Sequence, residues 1–251
     1  YGLVGSEMCI RDRLAQLSQC FDELLGGSCG DRAEPVFFAG ACNNACNGCE
    51  NRDRFLADDS DALRERVDEA RACGRPLMLA GREPTIHPDF VALVARARGS
   101  DGRRVGVTTN GRRFSYRRFA AEAVRAGLTD ASVKVFASRA AAADAIARVD
   151  GAFDQAMAGI DNLVRAGVRV EMRVPLHAAG LETSRELAAL ALAHDVRTIR
   201  VEAALVSLGL DSLERGATAV RDRAAACRVA GVHLAASPLP RGMRGFDRLP
   251  A

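Results

Sequence analysis

Tryptophan is absent, tyrosine occurs only twice, and aromatic side chains make up 5% of the 251 residues. So few flat rings exclude a base-stacking platform and argue against recognition of single-stranded nucleic acid. Lysine is almost missing as well: Lys134 stands alone among 35 basic residues, which 32 acidic ones nearly balance to a net charge of +3. A phosphate-binding face would need a clustered excess of positive charge. The arginine-rich, alanine-rich composition instead fits a GC-rich coding sequence. No uninterrupted apolar run reaches the ~18 residues of a membrane-spanning helix, and no charged, apolar, small-residue leader is visible. A chain outside the membrane, in a reducing cytoplasmic setting, is therefore expected.

Cysteine is present in an uneven pattern. Cys20, Cys29, Cys73 and Cys227 share no short spacing, whereas Cys42, Cys46 and Cys49 crowd into Gly40-Ala41-Cys42-Asn43-Asn44-Ala45-Cys46-Asn47-Gly48-Cys49. Three thiols at CxxxCxxC in one Gly/Asn-rich loop can turn onto one soft metal centre, and thiolates select iron–sulfur clusters, zinc or copper(I). A zinc site would usually close with a fourth Cys or His at finger or ribbon spacing, and neither Cys73 nor His87 provides it. Three ligands on a four-iron cube would leave one iron open to an outside ligand.

Two further segments extend the pattern. Leu79-Ala80-Gly81-Arg82-Glu83-Pro84 resembles a Gly-Gly-Glu-Pro segment, and Val107-Thr108-Thr109-Asn110-Gly111 a Thr-Asn-Gly strand end. With the cysteines, in this order and at similar spacing, they resemble the radical S-adenosylmethionine (SAM) superfamily, and a weaker likeness runs on through Gly151-Ala152-Phe153 and Gly159-Ile160. The resemblance implies a partial (β/α)6 TIM-like barrel of the α/β class, a [4Fe-4S] cluster on Cys42, Cys46 and Cys49, and SAM bound to its open iron. It also implies reductive cleavage of SAM to a 5′-deoxyadenosyl radical that abstracts hydrogen from a substrate. Gly81, Glu83, Pro84 and Asn110 would lie on the cofactor wall, with the backbone near Glu83 receiving the SAM amino group. Flavodoxin or ferredoxin would donate the electron, and the substrate would be a small molecule or a peptide. The rival is a non-catalytic iron–sulfur or zinc barrel acting as a binding module or subunit.

Three positions depart from the family pattern. Gly48 replaces the aromatic residue usual before the third cysteine, Arg82 replaces the second glycine of Gly-Gly-Glu-Pro, and Val133–Ser138 stands where many relatives carry Ser and His.

The remaining sequence alternates strand and helix. Strands are expected at Val36–Ala39, Leu77–Ala80, Val105–Thr108, Ser132–Phe136, Val168–Val174, Thr198–Ala203 and Val232–Ala235, with helical periodicity between them. Ser60 or Asp61 is expected to cap one helix and Pro88 to open another, while Gly127, Gly167 and Gly231 follow helical runs as C-terminal caps do. Such alternation means βαβ units and a parallel sheet, with the chemistry at the C-terminal strand ends. Strand parity turns Arg169, Glu171 and Arg173 into the barrel, with Arg200, Glu202 and Lys134 beside them. Charges there are costly unless paired or used. Lys134 and Arg173 are accordingly candidates to hold SAM, and Lys134, Glu171, Arg173, Arg200 and Glu202 to orient substrate. The run Arg112-Arg113 to Arg117-Arg118 has the composition of a solvated helix start, and His87, His177 and His194 carry no metal-ligand spacing.

Residues 1–13 resemble translated sequencing-adapter sequence and are expected to be non-native. Residues 14–34 would form a helical lead-in, with Leu14, Leu17, Phe21, Leu24 and Leu25 on one face; 35–236 the barrel; and 237–251 a tail. No second group of closely spaced cysteines suggests an auxiliary cluster.

Overall fold

The structure, a computed structural model, describes residues 33–47, 49, 59–175, 184–202 and 233–236. Its frame is a parallel sheet in sequential order: β1 (Glu34–Phe38), β2 (Leu77–Gly81), β3 (Val105–Thr109), β4 (Asp130–Lys134), β5 (Arg169–Pro175), β6 (Thr198–Glu202) and β7 (His233–Ala236). Among the described residues β1 and β7 do not pair with each other, so the sheet is the open, partial TIM-like barrel expected of the sequence. Helices α1 (Ser60–Ala72), α2 (Phe90–Arg98), α3 (Arg117–Ala126), α4 (Ala140–Ala147), α5 (Ala152–Arg165) and α6 (Ser184–Ala193) lie in the crossovers from β1 to β6. The expected helix at 14–25, the 237–251 tail, His177, Cys20, Cys29 and Cys227 lie outside the described residues.

Burial follows strand parity. Val36, Phe38, Leu77, Leu79, Val105, Val107, Val133, Met172 and Val174 are buried in one apolar core, which Leu63, Phe90, Leu93, Ile160 and Leu163 complete from the helices. The opposite parity is polar: Ser132 stands beside Glu171 and Lys134 beside Arg173 in the β4–β5 register, and Arg173 beside Arg200 in the β5–β6 register. This alternation is what a sheet with helices on one side and a filled interior on the other requires.

Several boundaries move for local reasons. β4 begins at Asp130 and ends at Lys134, earlier than the apolar run predicts, because Phe136 leaves the sheet for a small cluster with Ala137, Ala143, Ala147 and Ala152. Asp130 itself belongs to the polar rim, accepting from Arg104 at 2.7 Å and Arg169 at 2.9 Å. Burial opposes its ionisation, but the hydrogen bonds of Arg104 and Thr129 outweigh that and hold its pKa below the usual carboxylate range. The cap of α1 is Asp59, one residue ahead of the expected pair, its carboxylate accepting from the Asp61 amide at 3.0 Å. Pro88 lies in the turn before α2, which starts only at Phe90.

Gly159 fixes how α5 sits on the mouth of the barrel. A Cβ there would lie 2.2 Å from the Gly111 carbonyl oxygen, so only a glycine lets the helix rest on the end of β3. Gly159→Ala must therefore push α5 away from the strand, and we expect destabilisation of about 1–3 kcal/mol, the usual cost of overpacking. Thermal melting checks this: a chain of this size should lose roughly 2–4 °C per kcal/mol.

Candidate active site

All three motifs open at the C-terminal ends of adjacent strands, the cysteine loop after β1, Glu83-Pro84 after β2 and Asn110-Gly111 after β3. The ends of β1 and β2 touch at Gly81. It has φ +122°, and a Cβ would fall 2.1 Å from the Phe38 carbonyl oxygen, so both conformation and space demand glycine. Arg82 follows with its amide donating to that same oxygen at 3.0 Å and is not among the positive-φ residues. Glycine is thus needed at the first position of the segment and not at the second, and Arg82 brings no backbone strain.

Glu83 is the knot of the site. It is 2% exposed. Its Oε1 accepts from the Thr85 hydroxyl at 2.6 Å, the Thr85 amide at 3.3 Å and the Thr109 hydroxyl at 2.6 Å, while Oε2 accepts from the Asn110 amide at 2.7 Å. Burial pushes its pKa above the usual carboxylate value, against the pull of the Asn110 amide and the threonine hydroxyls. The carboxylate is spent on the protein itself. Only the backbone near Glu83 and Pro84 remains for a ligand, which is the part that the family resemblance assigns to one.

Asn110, 8% exposed, carries the connection to the cysteines. Its Nδ2 donates to Asn43 Oδ1 at 2.7 Å and lies 4.0 Å from Cys42 Sγ, while its Oδ1 accepts from the Arg112 amide at 3.0 Å. The opposite flank of the loop is held by the end of α4, where the last carbonyls of a helix need donors. The amides of Ala45 and Asn47 donate to the carbonyls of Ala147 at 3.1 Å and Ile146 at 2.9 Å.

Cys42, Cys46 and Cys49 are all free thiols, the first two half-buried and the third exposed. Burial raises the pKa of Cys42 and Cys46; the Asn44 amide, 3.4 Å from Cys42 Sγ, and the charge of Lys134 near Cys46 act in the opposite sense. Each thiol lies within electrostatic range of the others. Among the described residues no three Cys, His, Asp or Glu side chains already converge as a closed metal site. The donor set nevertheless suits a soft metal or iron–sulfur cluster, because the thiols share one loop anchored at both flanks, and binding would draw them together with loss of their protons.

Lys134 and Arg173 are register partners on the interior side of the same mouth, both half-buried. Lys134 lines a small cavity with Asn44, Asn110, Phe136, Phe153 and Met157, so this candidate does face the cysteine loop. Glu171 and Arg200 do not. Arg200 Nε and NH2 grip the Glu171 carboxylate at 2.8 and 2.9 Å, and the Ser132 hydroxyl donates to it at 2.7 Å. They line a larger cavity of about 300 Å³ with Met78 and Gly106, toward the N-terminal strand ends. That cavity is not the site, since its charges answer one another and it lies toward the opposite ends of the strands from every motif. Glu202 ends β6 as the register partner of Pro175.

The residues that sequence reasoning missed are Arg112 and Gln155. Arg112 is half-buried, and its guanidinium bonds the Asn43 carbonyl, Asn44 Oδ1 at 2.7 Å and Gln155 Oε1 at 2.7 Å, so it is no part of a solvated helix start. The only hint was its place directly after Asn110-Gly111. His87 and His194 stay outside the site: His87 accepts from the Asp89 amide and meets Phe38 edge-on, and His194 pairs with Asp161 at 2.7 Å.

Comparison with known proteins places this geometry. Residues 36–191 match the family model of the radical SAM superfamily. Fe-coproporphyrin III synthase of Methanosarcina barkeri (strain Fusaro / DSM 804) is 28% identical over 141 residues, covering 54% of this chain and 35% of that protein. The chain thus spans about a third of the length of that curated relative. The crystal structure of Streptococcus suis SuiB bound to S-adenosylmethionine superposes with a TM-score of 0.63 at 16% identity, over 82% of this chain and 51% of that one. Methylornithine synthase (PylB) superposes at 0.55 and 15% identity, over 92% of this chain and 78% of that one. At such identities the two structures speak for the fold alone; the family match covers more than half of the sequence, and the chain belongs to the radical SAM superfamily.

Proposed function

We propose that this chain is the catalytic barrel of a radical SAM enzyme. Cys42, Cys46 and Cys49 hold a [4Fe-4S] cluster, and the backbone at Gly81, Glu83 and Pro84, with Asn110, Lys134 and Arg173, forms the wall that receives SAM. A reduced cluster held there would supply the electron for cleavage of SAM to methionine and a 5′-deoxyadenosyl radical, the species that would take hydrogen from the substrate. The chain's own residues position and enclose. Glu83 locks the ends of β2 and β3 together, Asn110 passes that rigidity to the cysteine loop, and α4 fixes the loop's other flank. Lys134 and Arg173 offer positive charge to a carboxylate or ribose at the mouth. A flavodoxin or ferredoxin serves as electron donor, and the substrate is a small molecule or a peptide. Among the described residues no helix is long and apolar enough to cross a membrane.

The observation that carries this proposal is the hydrogen-bonded chain from Glu83 through Asn110 to Asn43, which joins the three motifs at one barrel mouth. Its test is anaerobic reconstitution with iron and sulfide, followed by SAM and dithionite. The product expected is 5′-deoxyadenosine. A protein that binds zinc or a stable cluster and forms none would instead be the non-catalytic barrel, the rival reading.

Arg173 provides a separate check. Arg173→Leu keeps bulk but removes the planar donor fork, so SAM or substrate affinity should fall about tenfold with little change in melting temperature. Titration calorimetry beside thermal melting separates the two effects. Parent-level affinity in a protein that melts several degrees lower would make Arg173 a structural residue.

A further inference from the structure

We propose that Arg112 is a positioning residue for the cysteine loop, holding Cys42 and its neighbours ready for the cluster and slowing the cluster's loss. The inference rests on the three cysteines being the cluster ligands, as proposed above.

The two ends of the contact differ in rigidity. Arg112 begins the turn Arg112–Ser115, directly after β3, and its backbone amide is held by Asn110 Oδ1 at 3.0 Å. Its Nε is held by Gln155 Oε1 at 2.7 Å. Gln155 lies one helical turn before Gly159, the residue whose close approach to Gly111 seats α5 on β3. Strand, turn and helix thus form one rigid block behind the guanidinium. In front of it, one terminal guanidinium nitrogen donates to the Asn43 carbonyl and, at 2.7 Å, to Asn44 Oδ1, on the stretch between Cys42 and Cys46. The Asn44 amide in turn points at Cys42 Sγ at 3.4 Å.

Residues 39–47 of the loop form neither helix nor strand, so their shape depends on such outside contacts. The end of α4 anchors Ala45 and Asn47, flanking Cys46. Arg112 anchors the preceding half. Without it, the segment carrying Cys42 keeps only the Asn110–Asn43 bond and the weak approach of Asn110 to the thiol among these side-chain ties. A planar fork can serve the loop and Gln155 together, whereas a lysine ammonium is a single point of charge and cannot span the same acceptors.

The test compares the parent, Arg112→Met, Arg112→Lys and Gln155→Leu in the full chain. Each is reconstituted anaerobically with iron and sulfide, freed of excess, and exposed to a ferrous chelator, while the melting of the apo form is recorded separately. We expect Arg112→Met to release iron about tenfold faster than the parent, in line with the usual effect of removing a group that orients a metal ligand. Arg112→Lys should fall between the two, and Gln155→Leu should accelerate release less, since it loosens the guanidinium but leaves its bonds to the loop. Apo melting should change little. Iron release at the parent rate in Arg112→Met overturns the proposal; if that variant melts early, Gln155→Leu decides, and release at its parent's rate overturns it equally. A parent chain that takes up no iron and sulfide would overturn the proposed function instead, and this inference with it.

Discussion

Cys46→Ala should lower reconstituted iron from about four per chain, the content of one cube, to near zero and reduce 5′-deoxyadenosine to background. The fold should survive. Cys46 packs against a small cluster of Phe136, Ala137, Ala143, Ala147 and Ala152, where one more alanine is chemically at home, and the loop's bonds to α4 run through the backbone of Ala45 and Asn47. The loss would therefore come from the missing ligand. Cys42→Ala and Cys49→Ala should behave alike, although Cys42 meets Asn44 and Asn110 whereas Cys49 is exposed. Iron analysis and chromatographic detection of 5′-deoxyadenosine check the set, and undiminished turnover in Cys46→Ala would refute the assignment of the cluster.

How far the sequence disclosed this site depended on the range over which each feature acts. The cysteine loop, Gly81-Arg82-Glu83-Pro84 and Asn110-Gly111 are local patterns, and strand period alone put them at neighbouring strand ends. The same period correctly sent Met172 and Val174 to the helices and Glu171 and Arg173 to the interior. It could not say which interior charges meet. Arg200 reaches back along its strand to Glu171, away from the mouth, although its Cα neighbour is Arg173. Phe136 read as a continuation of β4 because aromatic residues favour strands, yet the alanines of α4 and α5 offered it a better place. Arg112 was illegible for a similar reason. Its partners at 43, 44 and 155 are distant in sequence, and only the folded barrel brings them together.

Glu83→Leu should cost the fold a large share of its stability. Leucine removes the acceptor of four donors, the amides of Thr85 and Asn110 and the hydroxyls of Thr85 and Thr109, in a site that is 2% exposed. The hydroxyls can rotate toward other acceptors, and the Thr85 amide bond is long at 3.3 Å. The Asn110 amide has no such freedom, since its direction is set by the end of β3. A buried donor left without an acceptor costs about 1–3 kcal/mol. Relief of the buried charge offsets part of the loss, so a net destabilisation of roughly 2–4 kcal/mol is expected, or about 5–15 °C in melting temperature for a chain of this length. Glu83→Gln should lie between, because its oxygen can still accept from the threonines while its NH2 would face the Asn110 amide, donor against donor. The pH dependence has a definite sign. Burial raises the folded pKa of Glu83 above its unfolded value, so between those two values the folded form keeps a proton that the unfolded chain has released. Its titration therefore favours the fold most fully below the ordinary value of about 4.3, and that contribution is lost as pH rises through the raised folded value. The stability advantage of the parent over Glu83→Gln should accordingly shrink with rising pH across that window. Denaturant melts of the two proteins at a series of pH values measure it; an advantage that grows with pH would show a carboxylate stabilised as the anion, and an unchanged melting temperature in Glu83→Leu would show that Glu83 does not hold the strand ends together.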